Sequence, residues 1–163
     1  MFGNAAKNAE LDAIDRDILG ALERDGRTSY IDLAREIGLS ANATGDRVRR
    51  LFALGVIDGV RASLAPDALG LHVSAFIDVK LRSERAAEDF ERTLAEVPGI
   101  VECVLTTGNF DFTLRVACRD REDLVRIAEH LRTKAGAAET YTRIVLRERK
   151  FGLIRSAETR RMR

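Results

Sequence analysis

Hydrophobic side chains recur every three or four residues in the first third of the chain, which is the spacing of one face of an α-helix. The spacing predicts a first helix over residues 11–24, which Asp25 and Gly26 end. Two acidic side chains, Asp12 and Asp15, fall in its first turn, where they complement the helix dipole. The apolar face of this helix is formed by Leu11, Ile14, Ile18, Leu19 and Leu22.

Two shorter helices follow, with a tight turn between them. Ser29 is placed to cap the start of a helix over residues 30–37. Gly38 is placed to end this helix, because glycine readily enters the left-handed conformation that terminates helices. Ser40 is placed to cap the next helix, residues 41–54. The arrangement predicts a helix-turn-helix, whose second helix enters the major groove of DNA, although the same spacing also suits a helical hairpin in a core.

A cluster of arginines favours the DNA-binding interpretation of the second of these helices. Arg47, Arg49 and Arg50 fall within about one helical turn, where they repel one another unless an anionic surface faces them. Phosphate oxygens match their planar guanidinium groups. After the helix, residues 56–62 are expected to form a hairpin wing that turns at Asp58.

Alternating hydrophobic positions dominate the second part of the chain and predict strands separated by helices. The order βαββαβ is that of a ferredoxin-like domain, in which both helices cover one face of an antiparallel sheet. Apolar side chains such as Phe76 and Val104 on the other face predict that a second copy of the sheet covers it. The predicted elements are a strand at 73–81, a helix at 84–96 capped by Ser83, strands at 100–106 and 110–118, a helix at 120–134 and a strand at 140–150.

The predicted fold class is therefore α+β, with an N-terminal winged helix-turn-helix and a C-terminal ferredoxin-like βαββαβ domain. A Pro-containing segment separates the two and serves as a hinge. The expected organisation is an N-terminal extension at 1–10, the winged helix-turn-helix at 11–63, a linker at 64–72, the ferredoxin-like domain at 73–150 and a basic tail at 151–163.

The composition of the 163 residues is that of a globular protein. No apolar run approaches the ~20 residues of a membrane span, and the N-terminus lacks the apolar core of a signal peptide. A cytoplasmic protein without a membrane partner is therefore expected. Cys103 and Cys118 both lie in apolar, strand-like segments, so reduced core thiols are expected rather than a disulfide or a metal pair.

Charge is close to balanced overall but unevenly distributed. Residues 11–63 carry eight basic and nine acidic side chains, whereas residues 143–163 carry eight basic and two acidic ones. DNA binding by the first domain therefore depends on a local patch rather than on its net charge.

Residues of catalytic or metal-binding type are not grouped in this sequence. His72 and His130 are far apart, and there is no Ser/His/Asp set, phosphate loop or zinc spacing. The protein is expected not to be an enzyme, and to have no catalytic residues, no metal and no cofactor.

Four segments of the first domain carry a resemblance to a known family. They read LDxxDxxIL from Leu11, LAxxIGLS from Leu33, RVxxL from Arg47 and GVI from Gly55. In the second domain TGNFDF, residues 107–112, resembles a glycine loop of the same family. Together these motifs, over about residues 11–150, resemble the leucine-responsive/asparagine-regulator (Lrp/AsnC, feast/famine) transcription factors of bacteria and archaea.

The resemblance implies a sequence-specific DNA-binding transcriptional regulator whose oligomeric state or DNA binding responds to a small effector, an amino acid. It implies that residues 73–150 bind the effector and mediate oligomerisation, that homodimers assemble into octamers, and that operator DNA is double-stranded. Two alternatives stay open at this point. One is an architectural, weakly specific DNA-binding protein without a ligand, and the other is an enzyme or amino-acid-sensing subunit.

The candidate DNA contacts lie on the second helix of the motif and in the wing. The amide of Asn42 can read an adenine edge, or it is simply solvated. Arg47 contacts DNA or pairs with an acid inside the domain, and Thr44 is a candidate that also suits the core. Gly45 and Asp46 depart from the family pattern and make the operator sequence uncertain. The complete set is Ser40, Asn42, Thr44, Arg47, Arg49, Arg50 and Arg61.

The candidate effector contacts lie around the glycine loop, where the resemblance implies that amino acids bind between dimers. Gly108 suits both a turn with positive φ and the close approach of a small ligand. Asp111 either holds the ligand's ammonium group or stabilises the turn. Asn109 stands where the family has an acid, so the effector's identity is open. The complete set is Thr107, Gly108, Asn109, Phe110, Asp111, Thr140 and Thr142.

Overall fold

The computed structural model of the chain describes residues 10–84 and 86–154. They form two compact units, named here the helix unit and the sheet unit. Among the described residues, the helix unit holds Glu10–Ser63 together with Arg149–Ile154, and the sheet unit is Leu64–Glu148. Most of the expected N-terminal extension, residues 1–9, and most of the basic tail, residues 155–163, lie outside the described residues.

Three helices build the helix unit: α1 at Ala13–Arg24, α2 at Tyr30–Ile37 and α3 at Ala41–Ala53. Asp12 and Asp15 form a capping box at the start of α1. The hydroxyls of Ser29 and Ser40 cap α2 and α3, as the sequence predicts. Gly38 ends α2 with φ 75°, a left-handed conformation that glycine adopts cheaply.

The apolar faces of the three helices meet in one small core. Its fully buried members come from all three helices, so none of them can bury its apolar face without the other two. Val56 and Ile57 add partial cover after α3, and their backbone N–H groups both donate to the Leu51 carbonyl. The buried members are Ile18, Ala21, Leu33, Val48 and Leu51.

The hairpin wing predicted for residues 56–62 is wrong, since this segment, which the structure describes throughout, contains no strand. The carboxylate of Asp58, expected at the turn, instead accepts two hydrogen bonds from the guanidinium of Arg61. Val60 lies so close to Gly26 that a Cβ on that glycine would come within 2.7 Å of its side chain. Packing on the turn after α1 therefore replaces strand pairing.

The sheet unit has the predicted ferredoxin-like order. A 3₁₀ turn at Pro66–Leu69 precedes it. The four strands form one antiparallel sheet in the order β2-β3-β1-β4, so the first and last strands of the chain are neighbours. The elements are β1 at Val73–Leu81, α4 at Ala87–Leu94, β2 at Ile100–Leu105, β3 at Phe112–Cys118, α5 at Arg121–Thr133 and β4 at Ala137–Ile144.

Two element boundaries in the sheet unit differ from the predicted ones. The helix expected over 84–96 is the shorter α4, whose N-cap is Ala86 rather than Ser83, and the Ser83 hydroxyl donates to the carboxylate of Glu84. The strand expected over 140–150 begins at Ala137 and ends at Ile144. Its last paired residue is Ile144, opposite Ala75, and one more backbone hydrogen bond follows, from the Val145 N–H to the Ser74 carbonyl at 2.8 Å.

Helices α4 and α5 cover one face of the sheet and bury a continuous core. Phe90 of α4 and Phe112 of β3 lie at its centre, with ring centroids 4.8 Å apart. Cys118 belongs to this core, as expected. Cys103 does not, because β2 is an edge strand whose side chains are largely exposed. The expectation that Cys103 is a core thiol is therefore wrong.

The opposite face of the sheet, called here the open face, is more polar than predicted. Asp78 at its centre accepts hydrogen bonds from Arg143 at 2.8 and 3.0 Å and from the Thr113 hydroxyl at 2.7 Å. The Phe76 ring lies beneath the guanidinium groups of Arg115 and Arg143, at 5.6 and 5.9 Å. Val104 and Tyr141 are also exposed on this face, so charged side chains interrupt the predicted apolar patch but do not remove it.

Gly45 lies in the middle of α3 and is buried beneath the ring of Tyr30 from α2. A Cβ on Gly45 would come within 3.3 Å of the Tyr30 ring and within 3.3 Å of the Arg49 guanidinium. A glycine at this point costs helix propensity but allows α2 and α3 to approach closely.

Replacing Gly45 with alanine is expected to stabilise the helix unit by less than the ~1 kcal/mol that helix propensity alone supplies, because the Tyr30 ring must shift. In a Tyr30→Ala background the same replacement should recover the full ~1 kcal/mol. Denaturant unfolding of the four proteins of this double-mutant cycle gives the coupling. Equal stabilisation in both backgrounds would show that the close approach has no energetic role.

Candidate functional site

The outer face of α3 presents polar and charged side chains that extend away from the core. Asn42, Asp46 and Arg49 are exposed on it, and Ser40 begins the helix. Arg49 pairs with Asp46 three residues earlier, with the two side chains 66% and 72% exposed. An exposed pair of this kind contributes little to stability, so Arg49 can exchange it for a phosphate.

Arg47 and Arg50 bind acidic side chains at the start of α1 instead of extending into solvent. The Arg47 Nη1 donates to Asp12 at 2.7 Å and to Asp15 at 2.8 Å, and the Arg50 Nη1 donates to Asp15 at 3.1 Å. The Asp15 residue is only 1% exposed. A buried carboxylate requires such partners, so these two arginines join α3 to α1. Of the alternatives left open for Arg47, the structure supports the intradomain pair.

The same contacts shift the pKa values of Asp12 and Arg47. The backbone N–H of Asp15 and the guanidinium of Arg47 hold the pKa of the Asp12 carboxyl below its usual value. The hydrogen bonds to Asp12 and Asp15 in turn raise the pKa of Arg47. Because the pKa of Asp12 is lowered in the folded state, its contribution to stability is present at neutral pH and is lost as the pH falls through that lowered pKa.

Thr44 occupies a position that changes its expected role, whereas Arg61 stays exposed. Thr44 is fully buried, and its hydroxyl donates to the Ser40 carbonyl at 3.0 Å. The interpretation of Thr44 as a DNA contact is therefore corrected to a core role. Arg61 is exposed in the irregular segment after α3 and pairs with Asp58.

The glycine loop connects β2 and β3 at the edge of the sheet unit. Thr107, Gly108 and Asn109 are exposed at its tip. Gly108 has φ 118°, and a Cβ built there would meet nothing within 4 Å. The loop therefore needs a glycine for its backbone conformation, and the space beside it is open.

Asp111 stabilises the base of this loop. Its Oδ2 accepts a hydrogen bond from the Leu81 backbone N–H at 2.7 Å, and its own N–H donates to the Val79 carbonyl at 2.9 Å. Of the two roles considered for Asp111, the structure therefore supports the carboxylate that stabilises the turn.

An aromatic pair stands beside the loop and was not predicted. Phe110 stacks with Tyr141 of β4, with ring centroids 6.5 Å apart and an interplanar angle of 24°. Thr140 and Thr142 lie opposite Val79 and Ile77, on the helix-covered face, so they do not share the face of Tyr141. The available signal for Tyr141 was a single aromatic residue in the polar run ETYTR.

Neither a metal site nor a membrane span is found in the part of the chain that the structure describes. Within residues 10–84 and 86–154, no group of three or more His, Cys, Asp or Glu side chains could hold a metal ion. No helix in the same ranges is long and apolar enough to cross a membrane. His72 lies 3.3 Å from Asp67, outside any such group.

Comparison with known proteins identifies both parts of this arrangement. The AsnC-type helix-turn-helix domain matches residues 11–51, and the Lrp/AsnC ligand binding domain matches residues 74–152. A proline dehydrogenase transcriptional activator from Rhizobium radiobacter is 35% identical over 148 residues, which cover 89% of this chain and 95% of the relative. The chain belongs to the Lrp/AsnC family.

Other members of the Lrp/AsnC family agree in sequence and in structure. The leucine-responsive regulatory protein of Escherichia coli K12 is 34% identical over 142 residues, or 85% of this chain and 87% of the relative. A transcriptional regulator from Neisseria meningitidis in complex with L-methionine has a TM-score of 0.82 at 26% identity, covering 91% of this chain and 98% of that one. A feast or famine regulatory protein from M. tuberculosis, complexed with L-methionine, has a TM-score of 0.78 at 31% identity, covering 85% and 93%.

The Lrp/AsnC matches coincide with the two sites described above. The helix-turn-helix match covers α1 to Leu51 in α3 and ends before the irregular segment that replaces the wing. The ligand binding match contains the glycine loop and its aromatic pair, and it extends past β4 to Gly152. The protein is therefore a transcriptional regulator with a DNA-binding helix-turn-helix and a ligand-binding domain.

Replacing Arg47 with alanine is expected to lower the melting temperature by more than about 4 °C, because the buried Asp15 carboxylate loses a partner. Arg49→Ala, which removes an exposed pair on the same helix, should change it by less than about 3 °C. Calorimetry of both variants makes the comparison. If the two variants melt alike, the pair between α1 and α3 does not hold α3 in place.

Proposed function

We propose that the protein is a sequence-specific DNA-binding transcriptional regulator whose DNA binding or assembly responds to an amino acid. The observation that carries this proposal is that the polar side chains of α3 fall into two groups. Two of its arginines are bound to α1, while an outer face with Asn42 and Arg49 remains exposed. Such a helix has a fixed position and exposes side chains that can contact base edges.

In this mechanism α3 is the recognition helix. Asn42, near its N-terminus, reads a base edge in the major groove, and Arg49 contacts phosphate or a base. Arg61, after α3, contacts the phosphate backbone. Arg47 and Arg50 act chiefly through the position that they give to α3, since both donate to the buried Asp15.

The effector site of the proposal is the glycine loop, residues 107–111. The open space beside Gly108 admits the backbone of an amino acid, and the stacked rings of Phe110 and Tyr141 provide an apolar surface for its side chain. Two structurally similar proteins are complexed with L-methionine, which supports an amino acid as the class of effector. The loop and its surroundings are used for binding and not for catalysis in this proposal.

Assembly of the proposed regulator begins with a homodimer through the open face of the sheet. One face of the sheet is covered by α4 and α5, and the ring of Phe76 with its two guanidinium groups lies on the other. A second sheet in the same orientation would bury this ring and exchange hydrogen bonds with Arg115 and Arg143. Octamers formed from such dimers complete the proposal.

An architectural protein that binds DNA with little specificity is the competing function. The two are separated by selecting duplexes from a random-sequence library and then competing the selected duplex with random DNA. A regulator protects one discrete site and is displaced weakly by random DNA. Equal competition by both DNAs would favour the architectural function.

Arg49→Ala is expected to weaken binding to the selected duplex and, if it contacts phosphate, to make the salt dependence shallower by about one unit. Asn42→Ala should relax discrimination at one base pair by about 1–3 kcal/mol. Arg27→Ala, a highly exposed arginine outside α3, is the matched control. Fluorescence anisotropy over a salt series measures all three. Binding by Arg49→Ala and Asn42→Ala that equals the control would exclude α3 as the recognition helix.

The full-length protein is expected to sediment as a dimer or a larger oligomer at micromolar concentration, and one of the twenty amino acids should raise its melting temperature. Gly108→Val should keep the dimer but lose this response or the higher assembly, because a side chain fills the open loop. Gly70→Val is the control, since it also places a valine at a positive φ, 75°, with nothing within 4 Å of its Cβ, but outside the loop. A monomer at micromolar concentration would contradict the proposed dimer. An unchanged ligand response and unchanged assembly in Gly108→Val would exclude the glycine loop from the effector site.

A further inference from the structure

Tyr30, the first residue of α2, lies at the border of the outer face of α3. Its ring covers Gly45, yet the residue is still 44% exposed. Its phenol hydroxyl has no hydrogen-bond partner among residues 10–84 and 86–154. A tyrosine at such a border buries its ring against the protein and leaves its polar end available to a ligand.

The geometry of α3 explains why the ring of Tyr30 reaches this border. A helix has about 3.6 residues per turn, so Asn42 and Arg49 share one exposed stripe. Gly45 lies on the flank of that stripe, rotated by about 60° from Asn42 and by about 60° from the buried Val48. A ring that covers Gly45 therefore lies beside the exposed stripe, on the side of α3 that faces α2.

The same glycine brings Tyr30 and Arg49 to one place on α3. A Cβ on Gly45 would lie 3.3 Å from Cδ2 and 3.6 Å from Cε2 of the Tyr30 ring, and 3.3 Å from Nη1 of Arg49. Cε2 is bonded to the ring carbon that carries the hydroxyl, so the polar end of Tyr30 also lies close to α3. The phenol and the guanidinium thus border a single helical position that has no side chain.

The shape of DNA determines what a group at this place meets. In helix-turn-helix complexes the second helix enters the major groove, while the helix before it crosses the sugar-phosphate backbone. A side chain that α2 places on the flank of α3 therefore meets the wall of the groove rather than the base edges at its floor. Tyrosine hydroxyls are among the groups that donate hydrogen bonds to phosphate oxygens.

We propose that Tyr30 is a DNA-binding residue, whose phenol hydroxyl donates a hydrogen bond to a phosphate oxygen at the wall of the groove that α3 enters. Gly45 makes this contact possible, because a side chain at that position would displace the ring. The inference rests on the proposed role of α3 as the recognition helix, and it extends the binding surface to α2. It also gives the glycine inside α3, which costs helix propensity, a role in binding.

Tyr30→Phe tests the hydroxyl alone, because the ring that covers Gly45 is kept. Fluorescence anisotropy of the full-length protein with the selected duplex is measured over a salt series. The affinity should fall by about tenfold, as for the loss of a hydrogen bond to a charged acceptor. The salt slope should not change, because a neutral hydroxyl releases no counterion. An affinity equal to that of the unmodified protein overturns the proposal.

Thr133→Val is the matched control for the loss of one hydroxyl. Thr133 is exposed at the end of α5 in the sheet unit, and its hydroxyl donates to the Glu129 carbonyl of its own helix. This variant should bind the duplex as the unmodified protein does, and melting temperatures verify that both variants are folded. Relaxed discrimination at one base pair in Tyr30→Phe would overturn the phosphate contact in favour of a base contact.

A double-mutant cycle of Tyr30→Phe and Gly45→Ala tests the role of the glycine in binding. The methyl group of alanine moves the ring, so the hydroxyl no longer meets its phosphate in the Gly45→Ala background. Tyr30→Phe should therefore reduce the affinity by much less than tenfold in that background. Equal losses in the two backgrounds would overturn the role given to Gly45.

Failure of this contact and failure of the proposed function give different results. If the unmodified protein binds no duplex, DNA binding by the helix unit itself fails. If Asn42→Ala and Arg49→Ala weaken binding but Tyr30→Phe does not, α3 remains the recognition helix and only the contact from α2 is excluded.

Discussion

The buried carboxylate of Asp15 is the constraint on which the DNA-binding half depends. A charge that is 1% exposed must find partners, and the two that it finds, Arg47 and Arg50, both lie on α3. The direction of α3 relative to α1 is therefore set by hydrogen bonds as well as by the apolar core. A small domain with few buried side chains gains a defined orientation from such a pair, because hydrophobic contacts alone tolerate sliding.

Periodicity predicted the helices and strands of both units because each apolar face spans enough residues for its spacing to be recognised within one segment of the sequence. It could not assign Arg47, since the acids that bind it lie 32 and 35 residues earlier in the chain. The wing failed for a similar reason: Asp58 suits a hairpin turn by its residue type, but the contact of Val60 with Gly26 is tertiary. Local patterns specify which residues are buried, and the partners of charged groups follow only from the fold.

The two cysteines show the same limit of local patterns in the sheet unit. Both lie in strands of similar composition, yet only Cys118 is buried, because β3 is central and β2 is at an edge. The glycine loop was located from its residue types, and the role of Asp111 became clear from its hydrogen bond to Leu81. Tyr141 completes the loop region from another strand, which no spacing within the loop motif could indicate.

The neighbouring positions of β1 and β4 have a consequence for the entropy of the whole chain. The hydrogen bond from the Leu153 backbone N–H to the Glu23 carboxylate joins residues 130 positions apart, and closing a flexible loop of that length is costly. Because Ala75 pairs with Ile144, the folded sheet unit already holds its first and last strands side by side. The loop that remains to be closed shortens to roughly 60 residues, which lowers the entropic cost by about 0.6 kcal/mol. Folding of the sheet unit thus favours the return of the chain end to α1.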